Sequence, residues 1–206
     1  MEYALVNTNI KIDTLESMAN LLVKTRTLHE ALKCRDKETA EHSEGVANIS
    51  FLLAQELQMD IVYRYWAYIA GILHDIGKIE MSDTILKSGK ANLSEHEQNI
   101  IKNHPYHSYR TAHRLNFPKD ICEALLYHHE RFDGSGYPDG LTGNAIPILA
   151  RIVAVADAYH AIRSQRNYKQ AFSIEDTITI MKNEIKKYDP IIFQKLIELI
   201  GKNEIK

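Results

Sequence analysis

A chain of 206 residues can bury one hydrophobic core and fits a single domain of ordinary size. Its 25 basic and 27 acidic residues leave a net charge of -2, which argues against a dedicated nucleic-acid-binding or membrane-surface protein, so no DNA or RNA partner is expected. Cys34 and Cys122 have no ligand spacing and make no disulfide framework, and neither a basic-then-apolar leader nor an apolar run of about 18 residues is present. A cytoplasmic chain without a transmembrane segment is the expectation.

In chain order the apolar spacing predicts helices throughout. The first runs from Ile12 to about Leu32, with Thr14 as N-cap or in the first turn; it leads in from a partner domain or forms a dimer seam. A second starts near Glu38 and carries Val46, Ile49, Leu53, Ala54 and Leu57. Asp60 offers an N-cap for a third, Ile61 to Ile76, stopped near Gly77. Glu80 to Leu93 reads as loop or short turns, with Gly89 as a breaker. Ser94 and Glu97 form a capping-box signature for a short helix through Ile101. Pro105 suits the first turn of the next, to about Leu115, and Pro118 opens Asp120 to His129.

Asp133 to Gly140 is the one long Gly/Pro-rich stretch, of the kind that carries binding or catalytic residues. Ile148 to Ala161 is a buried apolar helix holding one acid, Asp157, and a polar loop follows through Lys169. Ser173 starts a further helix and Pro190 the last, to Gly201. Period-two patterning is absent, so the fold class is all-α.

Histidines and acids gather at the ends and inner faces of these helices. Glu38 and His42 share a face at i,i+4; His74-Asp75 and His128-His129 end helices; His104 begins one; Asp157 is a carboxylate in apolar surroundings. Together they make eight candidate ligands, too many for one tetrahedral ion. Imidazole mixed with carboxylate, without thiolate, suits two or three clustered divalent ions such as Fe or Mn. Such clusters lower the pKa of a shared water and neutralise charge building on a phosphoryl group. Lys78, one helical turn beyond His74 if that helix runs on, can add a cation for phosphate; Arg166 and Lys169 can hold further oxygens, or equally be a solvated loop. His96, His107 and His113 read as surface or supporting residues.

His74-Asp75-Ile76-Gly77-Lys78, followed by His128-His129-Glu130-Arg131-Phe132-Asp133-Gly134-Ser135-Gly136-Tyr137-Pro138, resembles the HD-GYP subgroup of the HD phosphohydrolase superfamily, from about Arg35 to Pro190. The resemblance implies an HD-domain helical bundle with an HD-GYP-type C-terminal helical extension. It implies a lead-in helix over 1–34 and a catalytic domain over 35–206, with no sensor domain in the chain. It further implies hydrolysis of cyclic di-GMP at a binuclear or trinuclear metal centre. His42, His74, Asp75, His104, His128, His129 and Asp157 fall on the family's ligand positions, with Asp75 as the bridging carboxylate and Glu38 on an acidic position that accompanies a third metal. Lys78, Arg166 and Lys169 match phosphate-contacting positions, and Gly136, Tyr137 and Pro138 belong to the signature loop that shapes the substrate groove and meets protein partners.

The chain departs from the family pattern at His160, where an aspartate is usual and where the substrate pocket is expected to be retuned. It departs also at Ile162 and Arg163, where Leu-Thr is usual, at Asn167 and at Ser108, which stands in place of a glycine. The reading is a metal-dependent phosphodiesterase opening cyclic di-GMP to pGpG and on toward GMP, with Asp75 and Lys78 as catalytic residues. Its rivals are a phosphohydrolase for another cyclic dinucleotide or a nucleotide monoester, and a weakly active domain binding nucleotide or a partner. A homodimer or a signalling partner at the Gly-rich loop is the expected protein contact.

Overall fold

The computed structural model describes residues 6–87, 94–164 and 172–205, with side chains from residue 16. Among the described residues the regular structure is helical and no strand occurs. The helices are α1 (Val6–Arg35), α2 (Lys37–Glu56), α3 (Ile61–Leu73), α4 (Asp83–Lys87), α5 (Glu95–Lys102), α6 (His104–Arg114), α7 (Lys119–Tyr127), α8 (Ile148–Arg163), α9 (Ile174–Asn183) and α10 (Pro190–Gly201). The all-α expectation holds. Since α1 starts by Val6, Thr14 lies inside the helix and is not its cap. Gly89 lies outside the described residues.

Side-chain caps fix five of the ten helix starts among the described residues. Asp60 accepts from the Val62 and Tyr63 amides, and Ser94 with Glu97 closes the reciprocal capping box. Asp36 caps α2, Ser173 caps α9 and Asp189 caps α10 by the same chemistry.

The α2–α3 hairpin stands between two apolar clusters. One face, with Val46, Leu53, Ala67 and Ala70, meets Ile152, Val155 and Tyr159 of α8, Met181 of α9 and Ile192, Phe193 and Leu196 of α10. The other, with Ala40, Ala47, Ile69, Ile72 and Leu73, meets Leu21 and Leu32 of α1 and Ile121 and Leu125 of α7. Each large side chain buried this way stabilises the fold by roughly 1.5–3 kcal/mol. The C-terminal extension is thereby part of the core.

Close approach of α2 and α3 depends on Gly71. A Cβ there would lie 2.6 Å from Ala47 Cα, inside the contact limit of backbone against backbone. Gly77 does the same for α6, where a Cβ would lie 2.2 Å from the His104 carbonyl oxygen.

The third helix ends earlier than its apolar pattern predicts, at Leu73 instead of Ile76. Asp75 leaves helical geometry (φ -100°, ψ 7°), and the chain tightens into a 3-10 turn, Ile76–Glu80. Side chains three apart eclipse in such a turn. Lys78 therefore stands over Asp75, its Nζ 2.5 Å from Oδ2, and not one α-helical turn beyond His74.

Gly71→Ala is expected to lower unfolding free energy by about 1–3 kcal/mol through overpacking of α2 on α3. Urea denaturation monitored by circular dichroism checks this; an unchanged midpoint would refute the tight approach.

Candidate metal centre

Three of the candidate imidazoles sit where a helix ends and its last carbonyls lack partners. Nδ1 of His74 lies 2.7 Å from the Gly71 carbonyl oxygen, Nδ1 of His128 2.9 Å from that of Leu125, and Nδ1 of His104 2.6 Å from that of Ile101. A carbonyl only accepts, so each Nδ1 carries the proton and each neutral ring has a bare Nε2.

Those bare nitrogens converge. His104 Nε2 and His128 Nε2 face each other at 3.2 Å. His104 Nε2 is also 3.0 Å from Asp75 Oδ1, and His74 Nε2 is 3.4 Å from Asp75 Oδ2. Lone pairs and carboxylate oxygens at such distances repel unless a cation stands among them. Two sets of ligand atoms form in this way, His104 with His128 and His129, and His42 with His74 and Asp157, each within 4.8 Å. Asp75 offers one oxygen toward each set. The donor chemistry fits divalent ions.

Protons do not relieve the crowding. Burial, then the neighbouring histidines, holds His128 well below the ordinary imidazole value, and burial holds His129, His104 and His42 down as well. Burial opposes ionisation of Asp75, but the Lys78 ammonium above all holds its carboxyl well below the usual range. Asp157 is pulled down against burial chiefly by the contact with His42, whose Nε2 lies 2.9 Å from Oδ1. His74 alone moves upward, since Asp75 and then Asp157 outweigh its burial.

Seven of the eight expected ligands thus meet in one buried place. Glu38 does not join them; it is exposed on the first turn of α2, one turn before His42. Arg166 and Lys169 lie outside the described residues. His107 Nδ1 lies 2.8 Å from Glu80 beside Arg110, and His113 stacks on Tyr109; neither is among the converging ligand atoms.

The Gly-rich loop borders the centre. The Tyr137 ring tilts over His129 at 4.9 Å, and with Pro138 it lines a cleft of about 480 Å³ with His96, Asn99, Asn103 and His107. Burial raises the Tyr137 hydroxyl far above its ordinary value, so it stays protonated. Gly136 lies against the chain at His129–Arg131, where a Cβ would be 2.4 Å from the Arg131 nitrogen. A larger cleft of about 1120 Å³ between α1, α3, α6 and α7 is lined by none of the candidate ligands.

Sequence reasoning missed the residues that hold this arrangement. Buried Glu130 accepts from the Asp139, Gly140 and Leu141 amides at 2.7, 3.0 and 3.1 Å and folds the loop back on α7. Its signal was an acid directly between the histidine pair and the glycines. Ser108 donates to the His74 carbonyl at 2.8 Å and accepts from the Gly77 amide at 2.9 Å, tying α6 to the His74-Asp75 turn. No local pattern announces that role. His160 reaches His42, Nδ1 to Nδ1 2.9 Å.

Residues 16–192 match the model of the HD domain family. The chain belongs to the HD domain family. Its curated relatives bear out the HD-GYP resemblance read from the motifs. It is similar to the cyclic di-GMP phosphodiesterase response regulator RpfG of Xanthomonas campestris pv. campestris, 40% identical over 75% of this chain and 41% of that protein. It is also similar to the 3'3'-cGAMP-specific phosphodiesterase 1 of Vibrio cholerae, 36% identical over 77% of this chain and 37% of that protein. The HD chain spans about two fifths of the length of these relatives. The solved structure of a cyclic GMP-AMP-specific phosphodiesterase from V. cholerae covers 86% of this chain and 48% of its own, with TM-score 0.66 at 19% identity, which establishes the shared fold. No helix among the described residues is long and apolar enough to cross a membrane.

The metal-free protein should lose stability as pH falls from about 7 to 5. His42, His104, His128 and His129, held low when folded, leave the unfolded chain binding protons that the native chain refuses, and His74 alone acts the other way. The depressed Asp75 and Asp157 add stability above the unfolded carboxylate pKa that is lost only at lower pH, toward their folded values. Calorimetry of chelator-treated protein is expected to give a falling melting temperature over this window, and a flat or rising one would contradict the assignment.

Proposed function

We propose that this HD chain is a metal-dependent phosphodiesterase that opens cyclic di-GMP to pGpG and carries on toward GMP. The observation that carries the reading is the pair of three-residue ligand sets joined through Asp75, with Lys78 beside it at the edge of the centre. Two or three divalent ions, Fe or Mn, held by His42, His74, Asp75, His104, His128, His129 and Asp157, supply the Lewis-acid charge that phosphodiester hydrolysis at neutral pH requires. Glu38 is proposed to join the set when a third ion binds.

The chain's own groups do the rest. Asp75 joins the two halves of the centre and carries its negative charge under Lys78. The Lys78 ammonium, about one quarter exposed, balances charge that grows on the phosphate oxygens. Arg166 and Lys169 extend that clamp, and Tyr137 over His129 forms a wall against which a nucleotide is set, with Gly136 and Pro138 shaping the turn. Relatives that act on cyclic di-GMP and on 3'3'-cGAMP both support a cyclic dinucleotide as substrate. The two unpaired cysteines fit work in the cytoplasm, where thiols stay reduced. Residues 1–34 are taken as a lead-in helix to a catalytic domain over 35–206, with the Gly-rich loop or a second copy as the protein contact.

Asp75→Asn is expected to lower turnover by roughly a hundredfold to a thousandfold or more, followed by chromatography of pGpG released from cyclic di-GMP by Mn(II)-loaded protein. Wild-type turnover in that variant would sink the mechanism. In the same assay cyclic di-GMP is expected to outrun 3'3'-cGAMP and p-nitrophenyl phosphate. Fastest cleavage of cGAMP would move the substrate within the class; fastest cleavage of the monoester would overturn the class.

A further inference from the structure

Resting on the metal-centre reading above, we infer that His160 is the positioning residue for His42: with an ion between His42 Nε2 and Asp157 Oδ1, atoms 2.9 Å apart that otherwise share the ring proton, His160 accepts that proton at His42 Nδ1 and leaves Nε2 to the ion. A ligating imidazole carries its proton on the nitrogen away from the metal, where a fixed acceptor holds ring and tautomer. His74, His104 and His128 use a helix-end carbonyl for this. His42 cannot, because it lies inside α2 and the nearby Thr39 carbonyl accepts from Ser43 at 3.0 Å.

The atom that faces His42 Nδ1 is Nδ1 of His160, at 2.9 Å, with ring centroids 4.9 Å apart. A neutral imidazole accepts only at its unprotonated nitrogen, so the His160 proton is then on Nε2. Ser164 leaves the acceptor lone pair to His42, since its hydroxyl, 3.0 Å from His160 Nδ1, donates to the His160 carbonyl at 2.7 Å.

Space for the ring comes from the facing helix. A Cβ built on Gly45, one turn after His42 on α2, would lie 1.9 Å from His160 Nε2. Glycine at 45 and histidine at 160 are thus a matched pair, and any larger residue at 45 drives the ring away from His42.

Mn(II) titrations of metal-free protein, read as free Mn(II) by electron paramagnetic resonance, test this without substrate. His160→Leu keeps bulk and removes the acceptor; His160→Asn puts a carbonyl oxygen near the position of Nδ1. The account predicts one class of Mn(II) site weakened about 10–100-fold in His160→Leu, affinity within about threefold of wild type in His160→Asn, and equal melting of the metal-free forms. Gly45→Ala, which leaves residue 160 as histidine, is expected to weaken the same class of site. Wild-type affinity in His160→Leu or in Gly45→Ala would overturn the proposal, as would equal loss in Leu and Asn. A wild-type chain that takes up no Mn(II) would overturn the metal-centre reading itself, a result distinct from either.

Discussion

The structure depends on a double use of imidazole. At the ends of α3, α5 and α7, carbonyls without helical partners take the Nδ1 protons of His74, His104 and His128. Each bond satisfies a helix end and at the same time turns a bare Nε2 inward, against Asp75 and against its neighbours. The helix ends could not be brought together this closely around uncompensated lone pairs. Among the described residues the Lys78 ammonium, 2.5 Å from Asp75, brings positive charge to this centre, and a divalent ion would bring more.

Small residues make the convergence geometrically available. Gly71 brings α3 onto α2, so that His74 and His42 come into edge contact at 5.5 Å between ring centroids. Gly77 lets the start of α6 lie on the 3-10 turn, and Ser108 fastens it there. Glu130 anchors the Gly-rich loop, which sets Tyr137 over His129. Removal of apolar surface in two clusters drives assembly, and these few contacts decide where the polar side chains end up.

Much of this was legible from residue type and spacing. Helical periodicity located the helices, caps at Asp60 and Ser94 located starts, and the adjacent His-Asp and His-His pairs, with His42, His104 and Asp157, picked out seven candidate ligands that the structure brings together. Boundaries were less legible where polar demands override apolar pattern. Ile76 continues the stripe of α3, yet the turn to Asp75 breaks it three residues earlier. The tertiary partners were not legible. Nothing local to Glu38 announces that it stands on the exposed first turn of α2, apart from the seven that converge, nor does the sequence around His160 announce that it meets His42 across 118 residues. Such contacts are properties of packed helices, which sequence periodicity does not encode.

The most direct test of the account is the number and position of ions in the folded protein. Anomalous diffraction from crystals grown anaerobically with Mn(II) should reveal at least two ions per chain, one among His104, His128 and His129 and one among His42, His74 and Asp157, with Asp75 between them. Crystals at full Mn(II) occupancy elsewhere but with neither position filled, or with the imidazoles hydrogen-bonded to one another and no ion among them, would contradict it.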